Sequence, residues 1–208
     1  MEESVHKKGQ IALEPFGLTA TAEEIQGYFA SSAFLQSQNL DSGAEAIQCR
    51  GNLLDFSRLT FNSYYASVLA DFLRRKALAA SKSFTFETVM SSPDKVELLR
   101  EAQALGFRTY LYFISTEDPA INLDRVRNRV ADGGHDVPED KVISRYRRSL
   151  ELLPEAIVYT NRAYFFDTSK ESRFFAEATD GKQIELKTDK IPIWFVPTWQ
   201  RFALKETR

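Results

Sequence analysis

The chain has 208 residues, of which 43% are hydrophobic and 27% charged, and its formal net charge is −2. This length can bury a substantial core, and the small net charge argues against broad binding to nucleic acid. Cys49 is the single cysteine, so no internal disulfide can form and a reducing compartment is expected. With two histidines, a zinc site of the usual kind is not expected. Without a signal peptide or a bilayer-spanning apolar run, we expect a cytoplasmic protein with no membrane partner.

The first third of the chain gives the weaker secondary-structure pattern. Thr19 or Thr21 is expected to cap a helix that continues to about Ser31. Residues 32–58 carry only short apolar pieces, which could form a hairpin or a loop insertion. Apolar residues at helical spacing then predict a helix over residues 61–80.

The middle of the chain alternates between strand and helix patterns. Short apolar segments predict buried strands at residues 83–88, 108–114 and 163–167, with helices between them. Residues 108–114 are almost continuously apolar, which is typical of a central strand covered on both sides. This βαβ series predicts an α/β fold with right-handed crossovers and a mainly parallel sheet.

The last part of the chain carries a hairpin signal. Asp180-Gly181 lies between two apolar segments, at residues 174–178 and 183–187, which predicts a C-terminal hairpin with a two-residue turn. The aromatic stretch at residues 191–202 is expected to pack against the body of the protein.

Polar residues follow each of the three predicted strands. In parallel sheets, ligands bind at the carboxyl ends of the strands, where Glu87-Thr88, Ser115-Thr116 and Asp167-Thr168 are expected. Glu87 either binds a substrate hydroxyl or simply leaves the core at a strand end. Asp167 is either a site carboxylate or the first residue of an Asp-Thr-Ser turn.

Two pairs of arginines flank a Gly133-Gly134-His135 turn. Arg125 and Arg129 are four residues apart on one predicted helix, and Arg145 and Arg148 are three apart on the next. Converging guanidinium groups could hold a phosphoryl group, since each binds two oxygens at once. The alternative is a solvated surface, because residues 118–151 carry seven basic and seven acidic side chains. From spacing alone the solvated surface is favoured.

Three motifs together resemble the zeta-toxin-like ATPases, which are P-loop kinases. They are Phe86-Glu87-Thr88, the run RVRNRVADGGHDVP that ends at Pro138, and RYRRS, which begins at Arg145. No single motif is specific, but the combination is, and the resemblance extends from about Asn62 to Ser169.

The resemblance implies one adenylate-kinase-like domain over residues 1–208, with three α/β/α layers. It implies phosphoryl transfer from ATP, with Mg²⁺, to a small molecule. In characterised zeta toxins that molecule is UDP-N-acetylglucosamine, a nucleotide sugar, and a small antitoxin protein restrains the enzyme. Glu87 and Thr88 match the substrate-side motif. The matches to the lid arginines that face the transferring phosphate are Arg125, Arg129, Arg145 and Arg148.

The chain departs from the family in two respects. No G-x-x-x-x-G-K-[ST] phosphate loop occurs in it, nor does the strand whose aspartate serves as general base. The family's Phe-Asp-Asn-Ser is Phe-Asp-Thr-Ser here, ending at Ser169. The first departure leaves two expectations: coding sequence upstream of Met1, or a degenerate kinase scaffold that binds without catalysing. A third, weaker interpretation is an RNA-phosphate binder.

Overall fold

The computed structural model describes residues 9–203. The chain divides into two compact units, Met1–Thr85 and Phe86–Arg208, and each has its own apolar core. The single domain over residues 1–208 stays a prediction. Over the described residues, no helix is both long and apolar enough to cross a bilayer.

The first unit combines helices with a small antiparallel sheet of strand order β1-β3-β2. Its strands are β1 Gln10–Ala12, β2 Gln48–Arg50 and β3 Leu53–Asp55. Its α-helices are α1 Ala22–Ala30, α2 Ala33–Gln36 and α3 Ser63–Ala79, and short 3-10 helices occupy Glu14–Phe16 and Asp41–Ala46.

Local capping explains where the helices of this unit begin. The Thr21 side chain accepts from the backbone N–H of Glu24, whose carboxylate accepts in return from the backbone N–H of Thr21. The Asn62 side chain caps the N-terminus of α3, where it accepts from the backbone N–H groups of Tyr64 and Tyr65. Both predicted helices are confirmed. Within residues 32–58 the hairpin alternative is confirmed, because β2 and β3 pair antiparallel. Leu54 of β3 is fully buried.

The second unit contains a four-stranded sheet with helices. Its strands are β4 Tyr110–Ser115, β5 Arg162–Asp167, β6 Arg173–Thr179 and β7 Gln183–Leu186. Its α-helices are α4 Asp94–Ala104, α5 Pro119–Ala131, α6 Glu139–Val158 and α7 Val196–Ala203, and Ile193–Phe195 forms a 3-10 helix.

The sheet of the second unit is mixed, so the prediction of a mainly parallel sheet is wrong. Strands β4 and β5 are parallel, whereas β5 with β6 and β6 with β7 are antiparallel. The reason is that the predicted C-terminal hairpin, which is confirmed, pairs directly with β5. Its turn residues Asp180 and Gly181 have φ of 48° and 64°, and the Lys182 N–H donates to the Thr179 carbonyl at 3.1 Å. Because Thr179 pairs with Gln183, three residues separate the paired strand ends, not the predicted two.

Strand β4 lies at an edge of this sheet, so the prediction of a central strand covered on both sides is wrong. Phe113 is 7% exposed, but Tyr112 and Ile114 on the other face are 64% and 63% exposed. Helices α4, α6 and α7 share one apolar core with the covered face. Within residues 86–203, no element forms a third layer over Tyr112 and Ile114.

The strand predicted at residues 83–88 is not formed. Residues 82–91 are neither helix nor strand, and Phe86, Glu87 and Thr88 are all exposed. The alternating aromatic pattern favours extended backbone, but a strand also needs a hydrogen-bonded neighbour. None of the described strands pairs with this segment.

Candidate functional site

The carboxyl ends of β4 and β5 lie side by side. Ser115 is in register with Asp167, and the backbone N–H of Thr168 donates to the Ser115 carbonyl at 2.8 Å. The prediction that Ser115-Thr116 and Asp167-Thr168 share one edge of the sheet is therefore confirmed.

Asp167 is buried, and its hydrogen bonds with the described residues hold the local structure together. Its Oδ1 accepts from the backbone N–H of Ser169 at 3.1 Å, and its Oδ2 accepts from Ser169 Oγ at 3.0 Å. Trp194 Nε1 donates to the same Oδ2 at 2.9 Å. Of the two interpretations of Asp167, the turn is the one with contacts in the structure. Trp194 was not predicted as a partner of Asp167, and the one available signal was that an indole N–H in an aromatic segment expected to be packed needs an acceptor.

The loop after β4 is held by hydrogen bonds to other elements. Ser169 Oγ accepts from the backbone N–H of Glu117 at 2.8 Å, which joins the loops that follow β4 and β5. The hydroxyl of Tyr146 on α6 donates to the Thr116 carbonyl at 2.8 Å. Burial, together with the nearby Asp118 carboxylate, raises the pKa of Tyr146, so its phenol stays protonated and can donate.

Arg125 connects helix α5 to the carboxyl edge of the sheet. Its guanidinium donates to Thr168 Oγ1 at 3.2 Å and also to the Thr168 carbonyl. The Arg125 side chain is exposed, and a guanidinium has five donors, so further donors remain for a ligand. Arg125 is the predicted site arginine that the structure places at this edge.

Arg129 stabilises the turn between α5 and α6. Its guanidinium donates to the His135 carbonyl at 2.9 Å, and its own carbonyl accepts from the Gly134 N–H at 2.8 Å. A Cβ at Gly134 would lie 2.6 Å from Arg129 Cγ, so only glycine fits this turn. Gly133 has φ of 87° and ends α5, as predicted.

The arginines of α6 make few contacts. Arg148 Nε donates to the Ser144 carbonyl, one turn earlier, at 3.3 Å. Arg145 and Arg147 are exposed, and with the residues that the structure describes they form no hydrogen bond or ion pair. By contrast, Arg127 on α5 pairs with Glu139 at 2.6 Å and so ties the two helices together.

Glu87 and Thr88 do not lie at a strand end, because the segment that contains them is not a strand. Glu87 forms no hydrogen bond or ion pair within residues 9–203. Thr88 Oγ1 accepts from the backbone N–H of Met90 at 3.2 Å. Met90 is buried with φ of 53°, so the chain turns sharply just after the Phe-Glu-Thr triplet.

The carboxylates near this edge are few. Among the described residues, no three His, Cys, Asp or Glu side chains group as metal ligands. Asp167 Oδ1 accepts one hydrogen bond and its Oδ2 accepts two. The arrangement suits anion binding by guanidinium donors better than cation binding.

Comparison with known proteins gives one partial match. Over 63 residues the chain is 35% identical to an uncharacterized protein of Haemophilus influenzae (strain ATCC 51907 / DSM 11121 / KW20 / Rd). The match covers 30% of this chain and 45% of the relative, so the chain spans less than half of that protein's length. No family model matches the chain. No solved structure matches it either.

Proposed function

We propose that the α5–α6 hairpin is the phosphoryl-binding lid of a zeta-toxin-like small-molecule kinase domain. One observation carries the proposal: Arg145, which matches a lid arginine of the family, is exposed and has no hydrogen-bond or ion-pair partner within residues 9–203. Arg147 is equally exposed and unpaired among those residues but matches no lid arginine. The hairpin around it is fixed by Arg127 paired with Glu139 and by Arg129 bound to the His135 carbonyl. A cation without a partner on a fixed scaffold is ready to bind an anion, because the scaffold needs no reordering.

The chemistry of guanidinium supports a phosphate ligand over a carboxylate. Arg145 keeps its charge at any relevant pH, and its planar fork can bind two phosphate oxygens. Arg125 presents a second guanidinium, at the carboxyl edge where ligands of such sheets bind. Arg148, which lies one turn of helix from Arg145, is the third proposed donor.

ATP with Mg²⁺ is the proposed phosphoryl source, and a small molecule such as a nucleotide sugar is the proposed acceptor. When bound, ATP would supply the transferable γ-phosphoryl. The described residues would hold and orient it, and Glu87 and Thr88 would contact the acceptor. The 208 residues include no phosphate loop and no general base, so this chain is proposed to bind ATP without turning it over. A cytoplasmic location and a small antitoxin partner belong to the same proposal.

Isothermal calorimetry with ATP and Mg²⁺ tests this proposal. Arg145→Ala should weaken ATP binding at least about tenfold, because a hydrogen bond to a charged group contributes about 1.5–3 kcal/mol. Arg147→Ala is the matched control: it removes an equal charge from the same helix, about 160° away at about 100° per residue. Equal affinities in the wild type and both variants would contradict the assignment of Arg145.

A second candidate function is a non-catalytic binding protein built on a degenerate kinase scaffold that no longer binds ATP. The observation that favours it is that Glu87 and Thr88 lie on an exposed segment that forms neither helix nor strand. In this case UDP-N-acetylglucosamine or a protein partner should bind while ATP does not. Parallel calorimetry with ATP and the nucleotide sugar separates the two candidates.

A further inference from the structure

Strand β4 has a free hydrogen-bonding edge. It pairs with β5 on one side, and among the described residues no strand pairs on the other side. The carbonyls of Thr109 and Ser115 accept from the β5 side, at 2.9 and 2.8 Å. Backbone groups alternate in direction along a strand, so the N–H and C=O groups of Tyr110, Tyr112 and Ile114 point to the free edge.

This edge carries none of the features that usually prevent pairing. The sequence YLYFIS from Tyr110 to Ser115 contains no charge and no proline. Its outward residues Tyr110, Tyr112 and Ile114 are 50%, 64% and 63% exposed. Soluble proteins protect exposed edges with lysine, proline or bulges, so an unprotected apolar edge is typical of one that pairs.

We propose that β4 pairs antiparallel with β4 of a second copy of this chain, with the two Tyr112 residues opposite each other. In this register Tyr110 lies opposite Ile114 of the second copy. Each of these residue pairs exchanges two backbone hydrogen bonds, so every outward N–H and C=O named above gains a partner. The two four-stranded sheets become one continuous sheet.

The side chains of the open face fit the same register. Tyr112 stacks on Tyr164 with ring centroids 5.0 Å apart, and Tyr164 contacts Phe174 at 6.2 Å. Pairing at Tyr112 joins this aromatic row to the identical row of the second copy. Directly opposed aromatic side chains stabilise antiparallel strands.

Charge selects the antiparallel orientation over the parallel one. Arg108 precedes β4 and Asp118 follows it, and both are exposed. Antiparallel pairing brings the positively charged beginning of one β4 near the negatively charged end of the other, which is favourable. Parallel pairing would instead place like charges side by side.

Sedimentation velocity over a concentration series up to about 0.5 mM tests the pairing, since one strand edge is a small interface. A reversible monomer–dimer equilibrium is expected. Tyr112→Lys should raise the dimer dissociation constant at least about tenfold, because two lysines would then face each other. Ile193→Lys is the control, since Ile193 is 77% exposed in the same unit and lies outside β4. A monomer at every concentration, or a dimer unaffected by Tyr112→Lys, would overturn the proposal.

Cysteine cross-linking tests the register. In a Cys49→Ser background, Tyr112→Cys should form a disulfide dimer, since opposed Cα atoms lie about 5.5 Å apart. Tyr110→Cys should not, because its two copies lie about 14 Å apart along the strands. Equal cross-linking of the two variants, or none in either, would overturn the register. If circular dichroism shows that Tyr112→Lys is unfolded, Ile114→Lys takes its place in the sedimentation test with the same expected loss of dimer.

Discussion

The two faces of the four-stranded sheet differ although the same strands form both. On the covered face Ala163 and Phe165 are fully buried and Phe113 nearly so. On the open face Tyr112 is 64% exposed and Tyr164 partly exposed, and the two rings stack on each other. Aromatic content therefore does not identify the core here. Only the position in the two-residue alternation does.

The largest effect is expected on the covered face. Phe165→Ala should lower the free energy of unfolding of the second unit by about 3–5 kcal/mol, because it leaves a cavity among closely packed rings. Phe165 contacts Phe195 with centroids 4.6 Å apart. Urea denaturation measures the change, and a loss below about 1 kcal/mol would erase the contrast between the faces.

A smaller loss of unfolding free energy is expected at Asp167, the last residue of β5. Asp167→Asn replaces one acceptor oxygen by an NH₂ group, so either Trp194 Nε1–H or a Ser169 donor loses its acceptor. The expected cost is about 1–3 kcal/mol. Urea denaturation compares it with Asp189→Asn, an exposed site that should be neutral. Equal stability of the two variants would contradict the structural role of Asp167.

The open face should respond less than the covered face. Tyr164→Ala removes ring contacts with Tyr112 and Phe174, and cross-strand pairs contribute about 0.2–1 kcal/mol each. We expect a loss of about 1 kcal/mol, measured as for Phe165→Ala. A loss as large as that of Phe165→Ala would show that the open face is packed in solution.

The smallest effect is expected on stability in acid. It concerns Asp55, which begins a second Asp-x-Ser turn like that of Asp167. In the first unit, hydrogen bonds from Ser57 and from Gln10 lower the pKa of Asp55 to about 2. Because the folded pKa lies below that of the unfolded chain, the stabilisation is full above about pH 4 and is lost as pH falls toward 2. Asp55→Asn should flatten the dependence of the unfolding free energy on pH in this window, as measured by urea denaturation at a series of pH values. An unchanged slope would contradict the assignment.

Local signals in the sequence predicted several helix ends and the C-terminal hairpin. Thr21, Gly133 and Asp180-Gly181 act through contacts within a few residues, so the local pattern indicates them. The strand expected at residues 83–88 failed because pairing depends on a neighbour that no local pattern specifies.

The candidate site was predictable in outline only. The meeting of Ser115 with Asp167 follows from parallel pairing of two recognisable strands. The contacts of Arg125 with Thr168 and of Trp194 with Asp167 join residues 43 and 27 positions apart, beyond the range of spacing arguments. Spacing also could not distinguish Arg129, which binds a carbonyl of its own turn, from Arg145, which has no partner among the described residues.

The most direct test of the account is an NMR titration of the arginine Nε–H signals with ATP and Mg²⁺. Signals are assigned by comparison with spectra of Arg145→Lys and Arg147→Lys. The account predicts a saturable shift of the Arg145 signal, because a bound phosphate changes its hydrogen bonding, while the Arg147 signal stays in place. Equal shifts of both signals, or no shift of the Arg145 signal at saturating ATP, would contradict phosphoryl binding by this hairpin.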